Sequence, residues 1–390
     1  MKLKKKNFVV LYCEDWNTPL KTSKHHFIER LAFENNKILY IEVPLNPFNF
    51  FLNSKNLFKK NLFKGVVKVK KNIWTLKPIV PFPYHPFLGK ITDNLTVNYI
   101  NQKIMTFYLK YAFKKLNFFD IEAIIYLPMI YPMLQRLNFK KVHFHIVDEW
   151  QGFSGIPDTM KILTKNLIEK ANNTIVTSET LFNKYKKFTS NIFLLNHGTD
   201  PDLFKKGINF KKLKQNKSLK FKIGYYGSLE KLNFELINSV SKNLIDCKFY
   251  FVGPITNTVR NEIGKIESNN VNFISTIKRT KLPFFLKKLD VFWLPFKVNE
   301  LTKSMSPIKI YEVLSAGIPI VSESLQECKN ITQEHILFCS NVEQHIKNLR
   351  FAIKTDSIEK IKLRINFVKP YSWDNRYNNF KKFLKLDEEE

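Results

Sequence analysis

The chain has 390 residues, 44% of them hydrophobic, with 36 phenylalanines and a formal net charge of +29. That length suits two domains of about 150–200 residues each, and the apolar content excludes a generally disordered chain; no apolar run approaches the about 18 residues of a membrane-spanning helix. The basic excess runs through both halves and favours anionic partners (phosphates, acidic lipid head groups or nucleic acid), although a lysine-biased composition produces the same excess.

Phe8–Cys13 reads as a buried first strand. The lysines before it do not make a signal peptide, because the apolar run is short and Glu14-Asp15 ends it. A loop follows, then a helix capped by Ser23 with Phe27, Ile28 and Leu31 as its apolar stripe, then a strand over Ile38–Val43. Such a βαβ start places its ligand crevice at the carboxyl ends of the strands, here at Asp15, Trp16, His25 and His26. Two solvent-exposed histidines at a helix start fit the same residues. Residues 44–120 are punctuated by prolines and interleave Phe with Lys, most densely from Phe48 to Lys64. This suits a membrane interface, a base-stacking surface or an insertion packed on the domain. The spacing predicts a helix over Thr92–Leu116.

Ala123–Leu127 and Val142–Val147 are further strands, the second running into Asp148-Glu149-Trp150. His143 and His145 share one strand face, so His-x-His-x-x-Asp can furnish metal ligands. A turn-forming Asp148 without chemistry fits equally, and no other ligand-spaced cluster supports the metal. The four cysteines lack paired spacing and read as reduced thiols of a cytoplasmic protein. A helix over Thr159–Ala171, a strand over Thr174–Thr177 and a turn over Asn196–Phe204 complete the first domain, 1–205. The basic stretch 206–220 is the expected linker, ahead of a second domain over 221–370 and a final helix and frayed acidic tail over 371–390.

The second βα series begins with Phe221–Tyr226. Gly227-Ser228-Leu229 then opens a helix: Gly227 lets backbone approach a ligand, and Ser228 can hydrogen-bond a phosphate. It is not G-x-G-x-x-G, which weakens a dinucleotide reading. Phe249–Val252 with Gly253-Pro254, Val271–Ile274 and Val291–Leu294 repeat the design and imply a parallel sheet covered by helices. In Ser306–Val321, Ser306 is the expected N-cap, Pro307 the first helical residue, Gly317 the left-handed C-terminal residue and Ile318–Val321 a strand. The free amides of that helix with Lys309 form an anion site, and Glu312, one turn on, can accept from ribose hydroxyls. A surface helix with a Lys–Glu pair has the same pattern.

The run Ser-Pro-x-Lys-x-Tyr-Glu-x-Leu-x-Ala-Gly-x-Pro-x-Val over 306–321 resembles the nucleotide-sugar-binding motif of bacterial GT-B glycosyltransferases, family 4-like, including teichuronic acid-type transferases. The resemblance is strong from Lys222 to Ser324. It touches the first domain in patches, at the Trp16 loop, Ser23-x-His25-His26, Asp148 and Asn196–Phe204, and Ser372-Trp373-x-x-Arg376 resembles the C-terminal helix of such enzymes. It implies an α/β GT-B fold: two Rossmann-like domains with parallel sheets facing a central cleft, and a C-terminal helix crossing back to the first domain. The implied reaction is hexosyl transfer from a nucleotide diphosphate sugar to a lipid-linked or saccharide hydroxyl, in surface polysaccharide or glycolipid synthesis. Gly227, Ser228, Ser306, Ile308, Lys309 and Glu312 would bind the donor. Trp16 and His25 would lie on the acceptor side, with Asp148 and His26 catalytic. No metal or cofactor and no nucleic acid partner are expected. The expected place is cytoplasmic, peripheral on the anionic inner face of the plasma membrane. Two departures stand out. Ser304 replaces a glutamate that many relatives carry eight residues before the Glu312 position, and only Lys231 loosely matches their basic residue after the glycine turn. The rival readings are metal-dependent hydrolysis through His143, His145 and Asp148, and a basic nucleic-acid- or membrane-binding scaffold.

Overall fold

Asn7–Cys13 (β1) is buried at every position, as a strand covered on both faces requires. In the computed structural model, which describes residues 5–18, 21–46, 65–82, 95–149, 159–210 and 220–386, β1 pairs in parallel with β2 (Lys37–Glu42) and β5 (Ile121–Ile125). Beyond β2 come β4 (Ile73–Leu76) and the edge strand β3 (Val67–Lys70), the antiparallel member. Beyond β5 come β6 (Lys141–Ile146), β7 (Asn173–Val176) and β8 (Ile192–Leu194). The β3–β4 hairpin falls in the stretch 44–120, for which no strand was expected, although Val67-Lys68-Val69-Lys70 alternates and Asn72 supplies the positive-φ turn. The order reverses at β1, which sets a ligand crevice outside the carboxyl ends of β1 and β5. Val9, Leu39, Ala123 and Phe144 lie in this core.

This unit takes in Met1–Asn196 and Tyr377–Glu390; the other is His197–Arg376. The junction thus falls at Asn196, ahead of the expected linker, because the next residues pack within the second unit. The Thr199 amide donates to the Tyr371 carbonyl at 2.8 Å, and Phe204 is buried in the second core. Residues 48–64, Trp150, most of the linker and the acidic end lie outside the described residues. Of the C-terminal segment, Phe380 stacks on Phe27 at 4.5 Å, and the Tyr377 hydroxyl donates to Glu34 at 2.7 Å.

The second sheet is wholly parallel, in the order β11 (Val271–Ile274), β10 (Cys247–Val252), β9 (Phe221–Tyr226), β12 (Val291–Leu294), β13 (Ile320–Glu323), β14 (Ile336–Cys339). This is the doubly wound 3-2-1-4-5-6 order, with its switch point between β9 and β12. Three local expectations are corrected. Thr22, not Ser23, caps the first helix, Ser23–Phe33. Gly227-Ser228 leads into a 3₁₀ turn, Leu229–Lys231, before the helix Phe234–Asn243 that Asn233 caps. Helix Ile308–Ser315 starts after Pro307, which takes the cap position and leaves Ser306 outside the helix.

Candidate functional site

At the switch point of the second sheet, Gly227 leaves β9 at φ +138°, and its N–H donates to the Val252 carbonyl at 2.9 Å. A Cβ at Gly227 would come within 2.9 Å of both Cε and Nζ of Lys309. The positive φ favours glycine whatever the space, and the flexible tip of Lys309 lies against the turn. A Cβ on Gly253, after β10, would overlap the carbonyl oxygen of Gly227. Lys309 lies over the rings of Tyr225 (5.3 Å) and Phe296 (5.6 Å), and the Tyr225 hydroxyl donates to the Ser228 carbonyl at 3.0 Å. Helix Ile308–Ser315 carries no acidic residue in its first turn, so its amides and Lys309 present one positive locus to the turn. Ser306 is buried beside that helix start and Ile308 is half-buried. Ser304 donates to the Glu300 carbonyl at 3.0 Å and so serves its own helix. Lys231 has its ammonium 2.8 Å from the sulfur of Met305, just ahead of Ser306.

Glu312 is buried, with one carboxylate oxygen accepting from the Tyr226 hydroxyl and the other from Arg279. Burial disfavours the Arg279 cation, but the carboxylate more than offsets this and holds its pKa above the ordinary value. Burial first, then the Glu312 charge, pushes the Tyr226 phenol far up, so it remains a donor. The guanidinium rests 5.3 Å from the Phe204 ring, and its Nη2 is buried without a partner, a donor left over for a ligand oxygen. Sequence reasoning missed Arg279 and Tyr226. Arginine is scarce in this lysine-rich chain, and an arginine kept in a loop after β11 was the available signal.

In the first unit, Tyr12 ends β1 at φ +59°, and its hydroxyl accepts from Gln102 at 2.8 Å. Glu14 accepts from Lys24 at 2.7 Å and from the Thr22 hydroxyl; these contacts outweigh burial and hold its pKa below the ordinary value. Lys24 in turn lies 5.0 Å over the Tyr126 ring. Trp16 and His25 do come together, with ring centroids 5.2 Å apart, but as a buried cluster with Tyr40. His25 accepts from the Thr22 amide at 3.3 Å, and burial lowers its pKa. His26 is half-buried, and so is Asp148, two residues past β6. Its neighbour Glu149 is buried and accepts from Lys184 at 2.7 Å.

The metal reading fails on the side chains themselves. His143 donates to Glu122 at 3.0 Å and accepts from Asn173 at 3.1 Å, while His145 lies among the rings of Phe27, Tyr126 and Phe380. Among the described residues, no three His, Cys, Asp or Glu groups are placed to hold a metal. A groove of about 340 Å³, lined by His335, Phe351, Asp356 and Leu363, sits at the amino ends of β13 and β14, away from the glycine turn.

Residues 220–355 match the family model described as Glycosyl transferases group 1. Over 116 residues the chain is 24% identical to a protein of Bacillus subtilis (strain 168) named as a teichuronic acid biosynthesis glycosyltransferase, TuaH, and the match spans 29% of each chain. Two solved structures align along nearly the whole length. Sucrose-phosphate synthase of Thermosynechococcus elongatus has a TM-score of 0.73 at 12% identity and covers 98% of each chain. HepE of Anabaena, in complex with UDP and glucose, has a TM-score of 0.63 at 12% identity and covers 98% of this chain and 100% of its own. Two largely parallel sheets, each reversing its strand order at its first strand, thus share the GT-B fold of these solved glycosyltransferases, and residues 220–355 are similar to glycosyl transferases group 1.

Proposed function

We propose that this protein transfers a sugar from a nucleotide diphosphate sugar to a hydroxyl acceptor in surface polysaccharide or glycolipid synthesis. The observation that carries the reading is the Gly227 turn closed against Lys309 at the start of a helix that holds Glu312 one turn further on. In the reaction the bond from the sugar C1 to the diphosphate oxygen breaks, and a bond from C1 to the acceptor oxygen forms. The acceptor proton leaves to a base or to the departing diphosphate. The charge that grows on that diphosphate is met by Lys309 and the helix amides, which need no reorganisation and no metal ion. Glu312, steadied by Arg279 and Tyr226, holds the ribose hydroxyls, while Asp148 or His26 orients the acceptor hydroxyl. The acceptor is a saccharide or a lipid-linked sugar. The chain works at the anionic inner face of the plasma membrane, without a nucleic acid partner. The net charge of +29 supports that place, as does the absence, among the described residues, of a helix long and apolar enough to cross a membrane.

Thermal-shift titration against UDP, GDP, CDP and dTDP tests the donor site, with UDP the first choice from the HepE complex. One nucleotide should raise the melting temperature, and Glu312→Ala should weaken its binding by about 1.5–3 kcal/mol in calorimetry. Because alanine leaves Arg279 buried beside no acceptor, Glu312→Gln serves as the folding control. Unchanged titrations with Glu312→Ala would remove the ribose role, and no shift with any nucleotide would remove the donor site.

A further inference from the structure

The helix Leu95–Leu116 is built inside out. Its inward face carries Asn98, Asn101, Gln102 and Thr106 beside Met105 and Leu109, all buried. The amides are anchored: Asn98 donates to the Met129 carbonyl at 2.9 Å, Asn101 to the Phe82 carbonyl at 3.0 Å and Gln102 to the Tyr12 hydroxyl at 2.8 Å. The outward face carries the rings. Tyr99 is 43% exposed, Phe107 66% and Tyr111 59%, with Leu95 at 44% and, just past the helix, Phe119 at 70%. A helix that only covers a core presents the opposite pattern.

Charge selects what the outward face meets. The helix holds Lys103, Lys110, Lys114 and Lys115, all exposed, and not one Asp or Glu in its 22 residues. Ile100, Lys103, Phe107, Tyr111 and Lys114 follow at spacings of three and four, so rings and ammonium groups share one stripe. From Ile100 to Lys114 that stripe is about 21 Å long at 1.5 Å per residue. Cations already lie against its rings: Lys115 is 5.9 Å over Tyr111 and the Arg136 guanidinium 4.4 Å over Tyr99. A second copy of the face would set four lysines against four lysines. A bilayer with acidic head groups takes the aromatic rings at the level of its glycerol backbone and the ammonium groups at its phosphates.

We propose that the outward face of helix Leu95–Leu116 is the surface by which this protein docks on an anionic lipid bilayer, a step that rests on the reading of a membrane-borne acceptor. The test uses the full chain in co-sedimentation with vesicles of phosphatidylcholine alone or mixed with phosphatidylglycerol. Wild type should pellet with the mixed vesicles only, and less as salt rises. The pair Phe107→Ser, Tyr111→Ser and the triple Lys103→Glu, Lys110→Glu, Lys114→Glu should each cut binding by at least about tenfold. Phe351→Ser, which removes a ring 49% exposed in the second unit, should pellet as wild type does. All these positions except Phe351 lie on the outward face, and unchanged melting temperatures show that the variants fold. Wild-type pelleting by both helix variants would overturn the proposal, as would equal pelleting with the two vesicle types. A dimer that Phe107→Ser, Tyr111→Ser converts to monomer would also overturn it, since a second copy would then cover the face. Calorimetry on the same variants, with whichever of the four nucleotides shifts the wild-type melting temperature, separates the two readings: its binding should be unchanged in them, and failure of wild type to bind any of the four would end the donor reading whatever the vesicles show.

Discussion

Glu122, buried on β5, has its two carboxylate oxygens divided between Lys6, at 2.9 Å, and His143, at 3.0 Å. Burial pushes its pKa up, but the hydrogen bonds from His143 and Lys6 outweigh this and leave it below the ordinary 4.5. Burial likewise holds His143 below its ordinary 6.5. Both folded-state values are depressed, so both groups contribute stability above their unfolded pKa values and lose it as pH falls. Thermal stability should therefore decline as pH drops below 6.5, and more steeply below 4.5. Glu122→Gln should cost about 1.5–3 kcal/mol near neutrality and flatten the steeper acid limb. A melting profile of equal slope in both proteins would count against this. Asp148 makes a different claim, on rate. If it orients the acceptor, Asp148→Asn should lower kcat by about 10²–10⁴-fold with donor affinity unchanged, read in single-turnover transfer at saturating donor. Activity within a few-fold of wild type would reduce Asp148 to a turn residue. At this scale the sequence was informative where function rests on neighbours in the chain. Lys309 and Glu312 are three apart on one helix, so their common placement on it was legible. Arg279 lies 33 residues from Glu312 and Tyr226 lies 86, and no spacing rule joins them. His25 was legible as a crevice residue, but its burial against Trp16 and Tyr40 depends on the packing of three separate segments.

Elements were readable in proportion to how far their own residues decide them. β9, β11 and β12 run as their apolar stretches predict; β12 is buried at every position and β9 over most of its length, while β11 is a half-exposed edge strand. The end of helix Ile308–Ser315 was equally legible, since Gly317 takes φ +74° there. A Cβ on Gly317 would come 2.6 Å from Ile361, and its carbonyl accepts from Arg364 at 2.9 Å. Gly317→Ala should thus destabilise the second unit by about 1–3 kcal/mol, measured by urea denaturation; a midpoint unchanged from wild type would refute the steric reading. The start of the same helix was not legible to the residue. Ser306 and Pro307 both suit a helix entry, and tertiary packing places Pro307 at the cap with Ser306 buried beside it. The β3–β4 hairpin was missed for another reason. Its two four-residue strands sit among prolines and lysines, where alternation is easily taken for composition.

Across the whole molecule, two sheets of different length share one strand order around their first strand. Each therefore directs its ligand-facing loops to the same relative place, after strand one. In the second unit that place is where the turns after β9 and β10 cross, and the two glycines there answer to different demands. Gly227 is required by its own backbone, at φ +138°, with the flexible tip of Lys309 lying against it; Gly253 is required by the carbonyl of Gly227, which is to say by the passage of one backbone over another. Both demands are of the backbone, and neither depends on what the site binds. In a descendant that had given up sugar transfer, Lys309 and Glu312 would be free to drift, while Gly227 and Gly253 would stay for as long as the two turns did. A lineage that keeps Gly253 and loses Lys309 would be a retired transferase still wearing its fold.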